Sequence, residues 1–221
     1  MSGMQGLGLW LWLGTAALVL ATVVAVALAW WKGSPRVARG IALGLVVWFL
    51  AYAAILAFVS LASDERVLAR GETKWFCGVY LDCHVGVAVR GVRLVDVLGG
   101  GPGAVHANGR FWIVTLAVEN SAVRVPLGHY RPEARVADAD GRSWDRALEA
   151  ERALTGGPAD LTREIPPGGS YTVELVYDLP EDVADPRLLV IENGMPDRLA
   201  ERVLIGDDDS LLHAPTTLRI S

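Results

Sequence analysis

The sequence predicts a membrane-anchored all-β protein, in which an N-terminal transmembrane α-hairpin carries an antiparallel β-sandwich. Three observations predict it. Residues 1–63 hold only three charged side chains, Lys32, Arg36 and Arg39, whereas all 25 acidic residues lie at or after Asp64. Two uncharged runs, 7–31 and 40–61, each match the roughly 20 apolar residues a helix needs to cross a bilayer core. Beyond residue 73 the apolar period changes from helical to alternating, the pattern of strands with one face on a core.

The hairpin comes first. A 63-residue stretch with three charges offers no face to water and is no soluble domain. Between the runs lies WWKGSPRVAR, where Pro35 lacks an N–H and disfavours helical geometry at Ser34, so the sequence turns. A cleaved signal peptide would begin with a basic segment and carry a shorter apolar core; MSGMQG has no charged side chain. The loop residues Lys32, Arg36 and Arg39 are topology determinants, because basic loops stay cytoplasmic. The N-terminus and everything after residue 61 are then expected outside, periplasmic or extracellular. Trp10, Trp12, Trp30 and Trp31 sit where interfacial aromatic anchors belong. Ala17, Ala21, Ala25 and Ala29 on the first helix, with Gly40, Gly44, Ala51 and Ala54 on the second, form small-residue stripes that suit close helix packing, within the hairpin or between two copies. Neither span contains an Asp, Glu, Lys, Arg or His side chain, which argues against a proton or ion path. The expected contact of residues 7–61 is with the lipid bilayer.

Residues 64–73 read as a polar connector to an outer domain over 74–221. The chain after residue 63 carries 17 basic and 25 acidic side chains, a formal charge of −8, which disfavours nucleic acid as a partner. Trp112, Val114, Leu116 and Val118 share one face of a strand over 111–120. Tyr171, Val173, Leu175, Tyr177 and Leu179 share one face of another over 171–179. Further candidate strands are 74–81, 84–95, 134–137, 188–191, 202–205 and 216–220, separated by turn signals at 99–103, 140–141, 155–158 and 166–169. The Asp140–Gly141 pair suits a tight hairpin turn, since glycine accepts positive φ. A helix over 143–154 would start from Ser143 as N-cap. Seven to nine short strands of this kind suggest two packed sheets.

Three runs then carry a resemblance: GRFWIVTLAVENSAVRVPLG, ARVADADGRSWD and EIPPGGSYTVELVYDLPEDVADPRLLV. A strand ends in Asn120, a D-x-D-G-R hairpin runs from Asp138 to Arg142, and a proline–glycine turn leads from Pro167 into a strand that closes at Pro180. In order and spacing these resemble a bacterial family of immunoglobulin-like extracellular domains of unknown function, likened to an Ig domain of a telomeric-repeat factor. Over roughly residues 108–192 the resemblance implies an Ig-like sandwich on the outer side. It implies no catalytic residue.

The segment WFCGVYLDCHVGV lies outside that resemblance and holds the only two cysteines. On the oxidising side of a membrane Cys77 and Cys83 are expected to form a disulfide. A loop this short would contribute on the order of 2 kcal/mol. The alternative is a copper or zinc site on Cys77, Cys83 and His84, completed by His106, His129, His213 or Met195. Two spans followed by an outer β-domain resemble the layout of the copper-bearing subunit of respiratory oxidases. That family, though, places its cysteines closer together and late in the domain. A c-type haem would need two residues between the cysteines.

Other patterns fall short of chemistry. Asp138, Asp140 and Glu149 occupy calcium-loop positions, but Ser143 stands where the loop requires glycine. Asp207, Asp208 and Asp209 read as a solvated turn, with calcium binding as the sharper alternative. GGGPG at 99–103 lacks the lysine of a phosphate loop, and no serine has a nucleophile-elbow context. His106 and His129 read as surface side chains. The sequence therefore predicts no enzyme and no cofactor. It predicts an extracytoplasmic binding or accessory module that recognises another envelope protein, with the metal or redox protein as the alternative.

Overall fold

Leucine, valine and alanine, uninterrupted by charge or proline, form α1 over Gly3–Trp31. After a three-residue turn, α2 spans Pro35–Leu61. The second helix thus begins ahead of residue 40. Pro35 stands in its first turn, where a missing N–H costs nothing and the fixed φ favours the helix. Arg36 and Arg39 consequently lie on α2 and only Lys32 in the turn. The computed structural model describes residues 3–76, 83–129, 131–192, 202–206 and 210–221. By contacts the chain divides into two units, Met1–Asp64 with Leu199–Ala214, and Glu65–Arg198 with Pro215–Ser221.

In the first unit, the Trp48 indole donates to Thr15 Oγ1 (3.3 Å), which itself donates to the Leu11 carbonyl (2.8 Å). Thr15 on α1 and Ala38 on α2 are buried. The seam continues through half-buried Val19, Thr22, Ile41 and Leu45. Ala17, Ala21, Gly40, Gly44, Ala51 and Ala54 are exposed instead, so most of both expected small-residue stripes faces away from the hairpin contact. Tyr52, Leu56 and Ser60, spaced by four along α2, are buried. They meet residues 202–206 and 210–214: Tyr52 Oη donates to the Val203 carbonyl (2.6 Å), Ser60 Oγ lies 3.3 Å from Ser210 Oγ, and Ser63 Oγ accepts from Ala214 N (2.8 Å). Ile205 packs on Tyr52 and Leu56. The strand expected over 202–205 does not form. Residues 202–203 make a helical turn, and Leu211 N closes the segment onto the Arg202 carbonyl (2.9 Å).

The second unit is a sandwich. One sheet has the order β1(Arg66–Leu68), β9(Thr216–Arg219), β8(Arg187–Glu192), β5(Pro132–Ala137), β6(Ser143–Trp144); the other has β2(Lys74–Phe76), β3(Val85–Leu98), β4(Val105–Asn120), β7(Ser170–Leu179). The 64–73 connector therefore contains a strand, and β1 joins β9 in parallel, whereas the other strand pairs among the described residues are antiparallel. Val114, Leu116 and Val118 of β4 and Leu175, Tyr177 and Leu179 of β7 fill the space between the sheets, on the face the alternation indicated. The opposite face is buried as well: Phe111, Ile113 and Val176 lie under Ala150 of α3, Leu148–Thr155. That helix starts later than expected. Ser143 pairs with Ala137 in β6, and Ala147 N donates to the Val176 carbonyl (2.7 Å), which uses as strand the residues that would have begun the helix. The β5–β6 turn is as expected: Gly141 has φ +80°, and Asp138 Oδ1 accepts from Asp140 N and Arg142 N.

Candidate functional site

One end of the sandwich concentrates the polar chemistry. Phe76 at the end of β2 pairs with Val85 at the start of β3, which pairs with Asn120 at the end of β4. Asn120, 2% exposed, organises the loop that follows. Its Nδ2 donates to the Val125 and Ile165 carbonyls (both 3.0 Å), and its Oδ1 accepts from Ala122 N (2.8 Å). The loop is held at its base while Val123 and Val125 stand out in solvent.

Two nitrogen-bearing side chains, Lys74 and His129, are buried beside Phe76. Lys74 Nζ donates to the carbonyls of Val190 (2.9 Å) and Thr216 (3.3 Å) in the facing sheet and stands 5.0 Å from the Phe76 ring centre. A buried ammonium needs such bonds to offset its desolvation, and a ring face adds attraction. The His129 ring meets Phe76 edge-on at 4.8 Å, and its Nδ1 is held by the Glu192 carboxylate. A carboxylate on Nδ1 orients an imidazole and sets its tautomer, the arrangement used around bases and metal ligands. Here the imidazole is fully enclosed, and Nε2 has no partner among the described residues. His129 is therefore a core residue and not the surface side chain the loop context suggested; Phe76 and Glu192 close over it.

The predicted cluster is only partly visible. Cys83 and His84 precede β3, His84 Nδ1 lies 2.9 Å from Ser121 Oγ, and Ser121 N donates to the His84 carbonyl (2.8 Å). Cys83 is no free thiol. Cys77, Met195 and Asp207–Asp209 lie outside the described residues, and with them the expected disulfide pairing, a two-cysteine metal site and the acidic turn. Among the described residues no three of histidine, cysteine, aspartate and glutamate stand together as a metal shell. His106 is exposed, and His213 Nδ1 contacts the Ala214 carbonyl (2.8 Å). Asp138 is engaged by Arg142 Nε (2.8 Å) while Glu149 lies on α3, so the calcium-loop pattern is a hairpin beside a helix. Lys32, Arg36 and Arg39 are exposed.

A second buried cluster sits under α3. Glu151, 0% exposed, accepts from Arg146 Nε (2.9 Å) and Nη2 (2.6 Å), Ala159 N (3.0 Å) and Val176 N (3.2 Å). It thereby satisfies an edge N–H of β7 that no strand covers. Burial opposes the Arg146 charge, and the Glu151 bonds outweigh it, so the guanidinium is held above its usual range. The nearby Tyr177 phenol is pushed far up by burial, and burial lifts Tyr171 to about 12. On the surface, Leu94, Arg110, Trp112, Pro180, Glu181 and Val183 line an open depression of about 320 Å³. Sequence reasoning missed Lys74, His129, Glu192 and Glu151 as buried polar groups. Only Lys74 carried a signal, as one of two lysines among 20 basic residues.

No protein-family profile and no curated protein matches the chain. Among solved structures it is similar to a conserved hypothetical protein from Bacillus anthracis, at 17% identity over 55% of this chain and 92% of that one, TM-score 0.40. It is similar also to the secreted protein MPT63 from Mycobacterium tuberculosis, at 17% identity over 62% and 95% of the two chains, TM-score 0.42. A third is the yjhA protein from Bacillus subtilis, at 15% identity over 72% and 100%, TM-score 0.43.

Proposed function

We propose that this chain is a two-pass membrane protein whose outward-facing, Ig-like sandwich recognises another protein of the cell envelope. The observation that carries the membrane part is the bareness of the helices. The apolar stretches of α1 and α2 have mean hydropathy 2.3 and 2.5, yet only 6% and 11% of their residues are buried. A core helix of a soluble protein would be covered; these leave Leu20, Leu43, Leu50 and Phe58 between 65% and 75% exposed, which a bilayer accommodates and water does not. The cationic Lys32, Arg36 and Arg39 between and at the start of the helices support a cytoplasmic turn, and so an outer sandwich. Support for recognition comes from the sandwich end itself. The buried Asn120 side chain holds a loop that projects Val123, 86% exposed, and functional contacts concentrate on such scaffolded loops. Cys83 and Cys77 close a disulfide there in this reading.

The test uses the full chain in its native envelope. A photo-crosslinking residue at Val123 is expected to capture one discrete partner, whereas the same residue at Glu149 on α3 is not. Equal, diffuse labelling at both positions would sink the recognition role. Intact mass without reductant is expected to fall short of the free-dithiol value by two hydrogens. A metal adduct that disappears with Cys83→Ser or His84→Ala would instead establish the copper or zinc site.

A further inference from the structure

Resting on the two-pass reading, we propose that residues 202–206 and 210–214 are a third membrane-contacting segment, an interfacial wedge seated in the lipid of the outer leaflet. The argument starts from depth. The 27 residues of α2 make a helix about 40 Å long, close to the 40–45 Å of a bilayer with its headgroups. Centred there, about 5 Å at each end lies in the headgroup zone and the remainder in hydrocarbon. Tyr52 precedes the end of α2 at Leu61 by about 13 Å at 1.5 Å per residue, which sets it some 9 Å inside the hydrocarbon boundary. Ser60 is at headgroup level. The segment bonded to Tyr52, Ser60 and Ser63 spans the same depths. That range matches the 5–10 Å to which interfacial segments bury their apolar side.

Its chemistry suits that depth. Backbone in lipid must be paired internally. The Val203 carbonyl has Tyr52 Oη, the Arg202 carbonyl has Leu211 N, the Ser210 carbonyl has His213 N, and Ala214 N has Ser63 Oγ. Leu204 and Ile205 are buried, while Val203, Leu211 and Leu212 present 41%, 54% and 59% of their surface outward. The Arg202 stem can carry its charge up to the headgroups.

The test is depth-dependent quenching on the full chain in phosphatidylcholine–phosphatidylglycerol vesicles. Single cysteines at Val203, Leu211, Phe58 and Val123 each carry an environment-sensitive fluorophore, with the chain lacking an introduced cysteine as background. Nitroxide on the upper acyl chain is expected to remove most emission from V203C, L211C and F58C and to leave V123C unchanged. Aqueous iodide is expected to do the reverse. Quenching of F58C by lipid but of V203C and L211C by iodide alone would overturn the wedge and leave the spans standing. Protection of V203C and L211C from both quenchers, with F58C lipid-quenched, would place a protein surface there and also overturn it. Loss of lipid quenching at F58C would overturn the two-pass reading on which the wedge rests.

Discussion

Replacing Glu151 by alanine tests the account of how the sandwich closes its open edge. The carboxylate is fully enclosed and holds four donors. Its removal orphans two buried N–H groups, on Ala159 and Val176, each costing about 1–3 kcal/mol, and leaves the Arg146 guanidinium, 18% exposed, facing an apolar cavity. Breaking one side of a buried ion pair costs about 3–5 kcal/mol, a large share of the roughly 5–15 kcal/mol that holds a domain together. For a domain of this size that lowers Tm by roughly 10 °C. The assay is urea denaturation of the full chain in nanodiscs, followed by near-UV circular dichroism. Arg146→Met with Glu151→Leu removes both charges, and the double variant is expected to be more stable than Glu151→Ala alone. A Glu151→Ala midpoint within about 1 kcal/mol of wild type, below the cost of a single orphaned N–H, would refute the reasoning. So would a double variant that pays the sum of both single losses.

Other outcomes follow from the same structure. Gly109→Ala would place a Cβ 2.2 Å from the Leu179 carbonyl oxygen, backbone that cannot rotate away, and is expected to destabilise by about 1–3 kcal/mol or more. Gly44→Ala, with nothing within 4 Å, is expected to change the same midpoint by less than about 0.5 kcal/mol. Bonds from Arg187 hold the Asp185 carboxyl, and bonds from Thr162 the Asp160 carboxyl, below the usual range. Their contribution is therefore complete above the unfolded value of about 3.9 and is lost as pH falls through the lower folded values. Thermal melts should decline below about pH 4, and a flat profile to pH 2 would contradict this. Tyr52→Phe removes the donor to the Val203 carbonyl, and amide exchange at Leu211 is expected to accelerate while exchange in β4 stays unchanged.

The legible parts of this fold were those with a period. The runs 111–120 and 171–179 alternate over enough residues to set both their strand character and their inner face, and the structure places them accordingly. Burial of Phe111 and Ile113 on the other face was not legible, because alternation says which side is apolar and not that a helix will cover the second. Arg66–Leu68 has three residues and a parallel partner at Thr216–Leu218; no local pattern can announce a pairing across that distance. Residues 202–205 read Arg-Val-Leu-Ile, an apolar run too short to separate a strand from a turn whose Ile205 meets Tyr52 and Leu56. Of the polar cluster, the cysteine–histidine spacing drew attention by composition. His129 did not, since its burial depends on Phe76 and Glu192, which are distant in sequence. Glu151 reads in sequence like any helix-surface glutamate, and only the uncovered edge of β7 gives it a reason to turn inward.

The position of β9 sets a timetable for this protein. It is the second strand of its sheet, between β1 and β8, so neither neighbour has a completed edge until residues 216–219 exist. Arg70 and Ile220, which bond across this junction, are 150 residues apart. At 5–20 residues per second the ribosome needs roughly 8–30 s to bridge that gap. Throughout that interval β1 lacks its partner, and β8, once made, offers an open row of backbone donors and acceptors until β9 follows some 24 residues later. Such an edge invites pairing with a stranger, so a chain cut short before residue 216 would leave a sheet that recruits other strands in place of its own.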